Sequence, residues 1–173
     1  HSDLGRLFSI LVLITGVIFL LTLLPFTFIR FLYLPLIEAQ SRNRAPKELS
    51  PETRDHLILT AYDPVTSALI GKLKNHGYKY VLIADDLRHA LELHDSGINV
   101  AVGDIDDPAT YRRMRIDRAF AVVATNPDEI NTNIAFTVRE LNEHIPIITT
   151  ANSPYSEDIL HMAGSTRVLQ LHD

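Results

Sequence analysis

The sequence predicts an α/β fold in which a six-stranded parallel sheet follows one long apolar helix. From residue 56 to residue 171, short apolar runs alternate with amphipathic helical patterns. That alternation is typical of parallel strands covered by helices on both faces. Before them, Leu7 to Ile29 contains no charged residue over about 23 positions, which is long enough for a helix to cross a bilayer. Together these observations predict a Rossmann-like, doubly wound sheet preceded by one transmembrane helix.

The apolar stretch is interpreted as a membrane span because it is longer than the core of a signal peptide and no small-residue cleavage site follows it. Positive residues are concentrated after the span, at Arg30, Arg42, Arg44, Lys47 and Arg54, whereas Arg6 precedes it. The positive-inside tendency then predicts that the chain after the span is cytoplasmic. Residues 1–39 are therefore assigned to the helix and its extension, and the polar residues 40–55 to a linker.

The first strand and helix of the sheet domain carry an altered nucleotide-binding fingerprint. The apolar run Leu57 to Leu59 predicts a buried strand, and a helix follows a short turn. In a dinucleotide-binding fold this turn has the pattern G-x-G-x-x-G, but its glycine positions are Ala61, Asp63 and Thr66 here. Asp63 followed by Pro64 predicts an N-cap with proline at the first helical position. The Asp63 carboxylate would then accept hydrogen bonds from the N–H groups that a phosphate needs.

The remaining elements are predicted in the same alternating order. We expect strands at residues 80–84, 99–102, 119–124, 145–150 and 167–169. Asp86 and Asp107 are expected to cap the second and third helices, Asn126 and Glu129 to form a capping box on the fourth, and Ser153-Pro154 to begin the fifth.

Candidate binding residues follow from the architecture, because ligands of such sheets bind at the carboxyl ends of the strands. The candidate binding residues there are Ala61, Tyr62, Asp63, Asp85, Asp104 and Thr125, and Asn126 is expected at the same strand end as Thr125. Asp85 or Asp86 has the spacing of a ribose-binding acid, although a helix cap at Asp86 and a solvated side chain at Asp85 are the favoured explanation. Asp104, Asp106 and Asp107 form a carboxylate cluster without EF-hand spacing, and helix capping already explains Asp107, so no metal site is predicted.

Several function classes are excluded or disfavoured by composition. The chain of 173 residues contains no cysteine, which excludes disulfides and cysteine-based zinc sites. A net charge of −5 argues against general binding of nucleic acid. Neither an H-E-x-x-H nor a G-x-S-x-G motif is present. No nucleophile–base pair is recognisable, so we do not expect an enzyme.

Residues 56–171 resemble the regulator-of-potassium-conductance (RCK, or TrkA-N) domain along nearly their whole length. The resemblance depends on His56 to Asp63, Asp86 with Gly97, Val100 to Asp107, Ala119 to Thr125, Asp128 to Asn131, and Ala163 to Val168. Ser2 to Ser9 also looks like the start of a potassium-channel inner helix. The resemblance implies a regulated potassium channel in the cell membrane, with a tetrameric pore and cytoplasmic domains assembled into a gating ring. Gly16 would then lie at the hinge of the inner helix.

The sequence departs from this family at the cofactor site. Besides the replaced glycines, the ribose-binding acid falls on Ala84 when counted back from Gly97. We therefore expect no bound cofactor, or NAD, ATP or ADP if the site works. The expected partners are potassium ions, the lipid bilayer and further copies of the chain. The selectivity filter is absent from these residues, so a fragment of a longer channel subunit is expected. A membrane-anchored, nucleotide-sensing regulator of a potassium transporter without its own pore is the first alternative. A membrane-anchored oxidoreductase is the second.

Overall fold

The computed structural model describes residues 2–33 and 44–171, and the chain divides into two units, 1–42 and 43–173. The first unit is helix α1 (Asp3–Phe28), which continues as a π-helical turn (Ile29–Tyr33). Ser2 caps α1, since its hydroxyl oxygen accepts from the Gly5 N–H at 3.3 Å. The helical segment Asp3–Leu32 has 30 residues and a mean hydropathy of 2.9 over its most apolar window, and none of that window is buried. In length and composition it matches a membrane-spanning helix.

The second unit contains the predicted six-stranded parallel sheet, in the order β3-β2-β1-β4-β5-β6. The strands are β1 (Leu57–Leu59), β2 (Tyr80–Ala84), β3 (Val100–Val102), β4 (Ala121–Ala124), β5 (Ile147–Ala151) and β6 (Arg167–Gln170). The helices between them are α2 (Pro64–Asn75), α3 (Leu87–Asp95), α4 (Pro108–Arg113), α5 (Asp128–Leu141) and α6 (Ser156–Ala163). The doubly wound fold predicted from the alternating pattern is confirmed.

Both faces of the sheet are buried, because successive strand residues point to opposite sides. Ile58 packs with Val122 on the side covered by α4 and α5, where the fully buried side chains include Tyr111 and Ile134. Leu59 points to the other side, which is covered by α2 and α3. This two-sided burial explains why the strands are continuous apolar runs in the sequence rather than alternating ones.

Residues 44–55, predicted as part of a polar linker, pack against the sheet domain. Ala45 is only 2% exposed, and the Pro46 carbonyl accepts from the Val102 N–H at 2.9 Å, which extends hydrogen bonding beyond the β3 edge. The Leu49 N–H donates to the Arg113 carbonyl at 3.0 Å. Residues 40–43 lie outside the described part of the chain. The polar composition therefore predicted an irregular segment, but it did not show that this segment lies on the domain.

Some predicted helix starts and strand bounds differ from the structure. The capping box expected at Asn126 and Glu129 does not form, because α5 has Pro127 at its N-cap position and no side-chain cap. Asp128 instead turns outward to accept from the N–H groups of Asn152 and Ser153, at 2.8 and 3.1 Å. Helix α6 begins at Ser156, later than predicted, and β4 and β5 begin two residues later than expected. The caps predicted at Asp63, Asp86 and Asp107 are confirmed.

Candidate functional site

A cleft of about 400 Å³ opens at the carboxyl ends of the strands, where the sequence predicts the ligand site. Four of the six predicted residues line this carboxyl-end cleft: Ala61, Tyr62, Asp85 and Asp104. It lies around the point where the sheet order reverses, between β1 and β4. This position corresponds to that of the cofactor crevice in doubly wound folds.

Asp63 does not line the carboxyl-end cleft and instead closes the N-terminus of α2. Its Oδ1 accepts from the Thr66 N–H at 2.9 Å, and its own N–H donates to the Thr66 Oγ1 at 2.9 Å. The Thr66 hydroxyl in turn donates to the Ala61 carbonyl at 2.9 Å, and Thr66 is completely buried. This capping box uses an N–H that an anion would need at a helix N-terminus. The interpretation of Asp63-Pro64 as a cap is therefore confirmed, and Thr66 completes it.

Thr125, the sixth predicted residue, is partly buried, and its Oγ1 has no hydrogen-bond partner within the part of the chain that the structure describes. The next residue, Asn126, was expected at the same strand end and lines the cleft. Its Oδ1 accepts from the Thr60 hydroxyl at 2.5 Å, and its N–H donates to the buried Asn131 side chain at 2.9 Å. The sequence feature that indicates these hydrogen bonds is the presence of polar residues directly after the apolar strands.

The acidic residues after β2 have separate surroundings. Ala84 ends the strand and is only 3% exposed, whereas Asp85 is exposed and faces the cleft. Asp86 caps α3 by accepting from the His89 N–H at 2.7 Å. The acid that faces the cleft is therefore Asp85, one residue later than the position counted from Gly97.

The carboxylates after β3 also bond locally. The Asp104 Oδ1 accepts from the Asp106 N–H at 2.9 Å, and the Asp107 Oδ1 accepts from the Ala109 N–H at 2.9 Å. Over residues 2–33 and 44–171, no three side chains of the metal-ligating types come together in a metal-binding arrangement.

The carboxyl-end cleft is acidic. Asp85, Asp104 and Asp106 line it, and His89 is the basic side chain of its lining. The pKa of the Tyr111 hydroxyl is raised mainly by burial and additionally by the negative charges of Asp106 and Asp104. The field of these carboxylates therefore reaches the core. The Tyr111 hydroxyl donates to the Ile105 carbonyl at 2.6 Å. Such a cleft favours neutral or cationic groups over phosphates.

The sheet order and the position of the carboxyl-end cleft define the nucleotide-binding class of doubly wound α/β domains. Within that class, the family model of the TrkA-N domain matches residues 57–171, and the chain belongs to this family. The resemblance found in the sequence is thus confirmed.

Potassium channels are among the proteins that this chain resembles. The chain is 27% identical to the "Probable potassium channel protein 2" of Methanocaldococcus jannaschii over 96% of its own length and 49% of that protein. Among solved structures, it is 34% identical to a GsuK channel bound to NAD, with a TM-score of 0.71 over 98% of this chain and 31% of that one. A GsuK structure bound to ADP is 34% identical, with a TM-score of 0.73. The chain spans about half or less of the length of these relatives.

Proposed function

We propose that the chain supplies the inner transmembrane helix and the cytoplasmic regulatory domain of a potassium-channel subunit. The observation that carries this proposal is the extent of the similarity to the GsuK channel. It covers 98% of the chain, and so includes the apolar helix as well as the sheet domain. In this proposal the chains assemble as a homo-oligomer around a tetrameric pore in the cell membrane. The domain regulates ion passage and catalyses no reaction.

We further propose that the phosphate site of this domain is degenerate. The support is local: Asp63 and Thr66 bond to each other across the α2 N-terminus, and three exposed carboxylates line the adjacent cleft. NAD and ADP are bound by the GsuK relatives. A nucleotide would have to bind here without the anion hole of the helix N-terminus, and therefore more weakly.

The packing of residues 44–55 suggests how regulation would reach the helix. Pro46 and Leu49 are hydrogen-bonded to the domain backbone, so a displacement of the domain would displace these residues too. The chain between residues 33 and 44 would then transmit the movement to α1, with Gly16 as the candidate hinge. The helix is continuous at Gly16, and nothing within 4 Å would meet an added Cβ there.

A protease site inserted after residue 40 of the full-length channel would test this coupling. Currents would be recorded in excised patches before and after protease is added to the cytoplasmic side. Cleavage is expected to alter the open probability, whereas protease should leave the channel without the inserted site unchanged. Unaltered gating after complete cleavage would contradict the coupling. If the full-length protein carried no current but still supported potassium uptake by a partner, the pore-less transporter regulator would be favoured instead.

A further inference from the structure

The segment that joins α2 to β2 concentrates positive charge. Lys72, Lys74 and Lys79 are three of the four lysines in the chain, and they lie within eight residues. No Asp or Glu occurs from residue 64 to residue 84, whereas the whole chain has a net charge of −5. All three lysines are exposed. We call residues 72–79 the basic turn.

The charges of the basic turn are not neutralised by ion pairs. Lys72 and Lys79 make no ion pair in the described part of the chain. Lys74 donates to the Gly97 carbonyl, which is a neutral group and leaves the charge in place. The basic turn therefore presents three positive charges to the surroundings of the domain.

Two arginines near the start of β4 are used differently. Arg115 donates to the Leu49 carbonyl at 3.0 Å and pairs with Glu48 at 2.8 Å. Arg118 donates to the Pro51 carbonyl at 2.7 Å. These cations hold the chain that precedes β1, whereas the lysines of the basic turn are available to a partner outside the domain.

An aromatic pair lies on the basic turn. Tyr78 is 63% exposed, and its ring stacks on that of His76 with the ring centroids 6.3 Å apart. The His76 Nδ1 lies 2.8 Å from the Lys72 carbonyl oxygen, which holds the imidazole against the end of α2. An exposed tyrosine beside several cations suits the headgroup layer of a membrane, because the ring is amphipathic and the headgroups are anionic.

The basic turn lies beside the first described residues of the domain. Arg44 and Pro46 line a surface depression together with Tyr78 and Lys79. Eleven peptide units separate Arg44 from Tyr33, where the N-terminal helical segment ends, and they span at most about 40 Å when fully extended. The length of the chain therefore keeps the basic turn within reach of the bilayer that α1 is proposed to cross.

We propose that the basic turn docks onto the anionic lipid surface of this bilayer. The proposal rests on the proposed function, because α1 must span the membrane and the domain must lie on its cytoplasmic side. Anionic lipids give the cytoplasmic leaflet a negative surface potential, and each lysine close to it strengthens binding about fivefold. Docking would hold the domain at the membrane and limit the movement that residues 44–55 pass to α1.

Quenching of a fluorophore by lipid measures this docking. The full chain is reconstituted in nanodiscs of phosphatidylcholine, alone or mixed with phosphatidylglycerol. Because the chain contains no cysteine, Asn75→Cys attaches a single fluorophore to the basic turn. Lipids with a nitroxide on the headgroup should quench it in the mixed nanodiscs and not in phosphatidylcholine alone. Raising the salt from about 0.05 to about 0.5 M should reduce the quenching, because salt screens exposed charges.

Two variants separate docking through the basic turn from a general attraction of the domain to the membrane. Lys79→Gln removes one charge of the basic turn and should lower the docking equilibrium constant about fivefold. Arg88→Gln removes the same charge from an exposed side chain at the start of α3, beyond the opposite end of β2, and should leave the quenching unchanged. Equal losses in the two variants, or quenching that does not depend on phosphatidylglycerol, would overturn the proposal.

A second label distinguishes this proposal from the proposed function. A fluorophore at Val17→Cys, in the middle of α1, should be quenched by lipids with a nitroxide in the acyl chain in both kinds of nanodisc. Quenching at residue 17 without quenching at residue 75 overturns the docking alone. Absence of quenching at both positions overturns the membrane span as well.

Discussion

Replacing Asp63 by glycine should increase the affinity of the chain for ADP. The Asp63 carboxylate accepts a hydrogen bond from the Thr66 N–H at 2.9 Å and adds a negative charge where a phosphate would approach α2. Glycine frees that N–H and removes the charge. It also restores one of the three fingerprint positions. Since glycine replaces a capping residue at a cost of only a few tenths of a kcal/mol, the domain should remain folded.

The size of the effect follows from the charge removed. Two unit charges about 4 Å apart interact by about 4 kcal/mol at an effective dielectric constant near 20. Asp63 is partly exposed, so solvent screening reduces this value. About 1.4 kcal/mol of relieved repulsion would correspond to a tenfold gain in affinity. The hydrogen bond from the freed Thr66 N–H to a phosphate oxygen would add to it.

Isothermal titration of the full chain in detergent with ADP measures this gain directly. Asp63→Asn is the matched control, because its amide oxygen still accepts from the Thr66 N–H while the charge is lost. The asparagine variant should therefore gain less affinity than the glycine variant. The reasoning is refuted if Asp63→Gly binds ADP no better than the unaltered chain while its thermal unfolding shows that it is folded.

Three further predictions concern the domain and its N-terminal segment. Arg115→Ala removes two guanidinium hydrogen bonds to the Leu49 carbonyl, at 3.0 and 3.2 Å, so hydrogen exchange at the Leu49 amide should accelerate. An unchanged exchange rate would contradict the role of this contact. Burial lowers the pKa of His56 below 6.5, so the folded state disfavours its charged form. The contribution of His56 to the free energy of unfolding should be complete above about pH 6.5 and be lost as the pH decreases through the native pKa. Urea unfolding measured against pH should show this dependence, and His56→Gln should flatten it. In thermal unfolding, Gly164→Ala should destabilise the domain by about 1–3 kcal/mol, because φ is +125° there and an added Cβ would lie 2.9 Å from the Arg139 Cβ. The control Gly71→Ala, in open space on α2, should instead stabilise the domain by about 0.5–1 kcal/mol in the same experiment.

Local rules recovered the fold class and several helix caps. Asp63, Asp86 and Asp107 could be identified as caps because each is a short polar side chain that bonds to an N–H two or three residues ahead. The cap predicted at Asn126 was wrong for the converse reason. Its side chain bonds to Thr60, which is close only because β1 and β4 are neighbours in the sheet.

The surroundings of His56 were also beyond sequence reasoning. Nothing local marks His56 as a residue with a buried, unpartnered ring nitrogen. That property depends on the Met114 carbonyl, 58 positions away, and on the packing above the ring.

The sequence by itself determined the order of the elements, the apolar span and the self-capped α2 N-terminus, because each depends on residues close together in the chain. The tertiary structure decided which residues share a site. Of the residues that the sequence placed at the strand ends, it brought Ala61, Tyr62, Asp85 and Asp104 to one cleft and left Asp63 outside it. It also placed residues 44–55 on the domain. These arrangements depend on contacts between distant segments, which no local pattern of residues encodes.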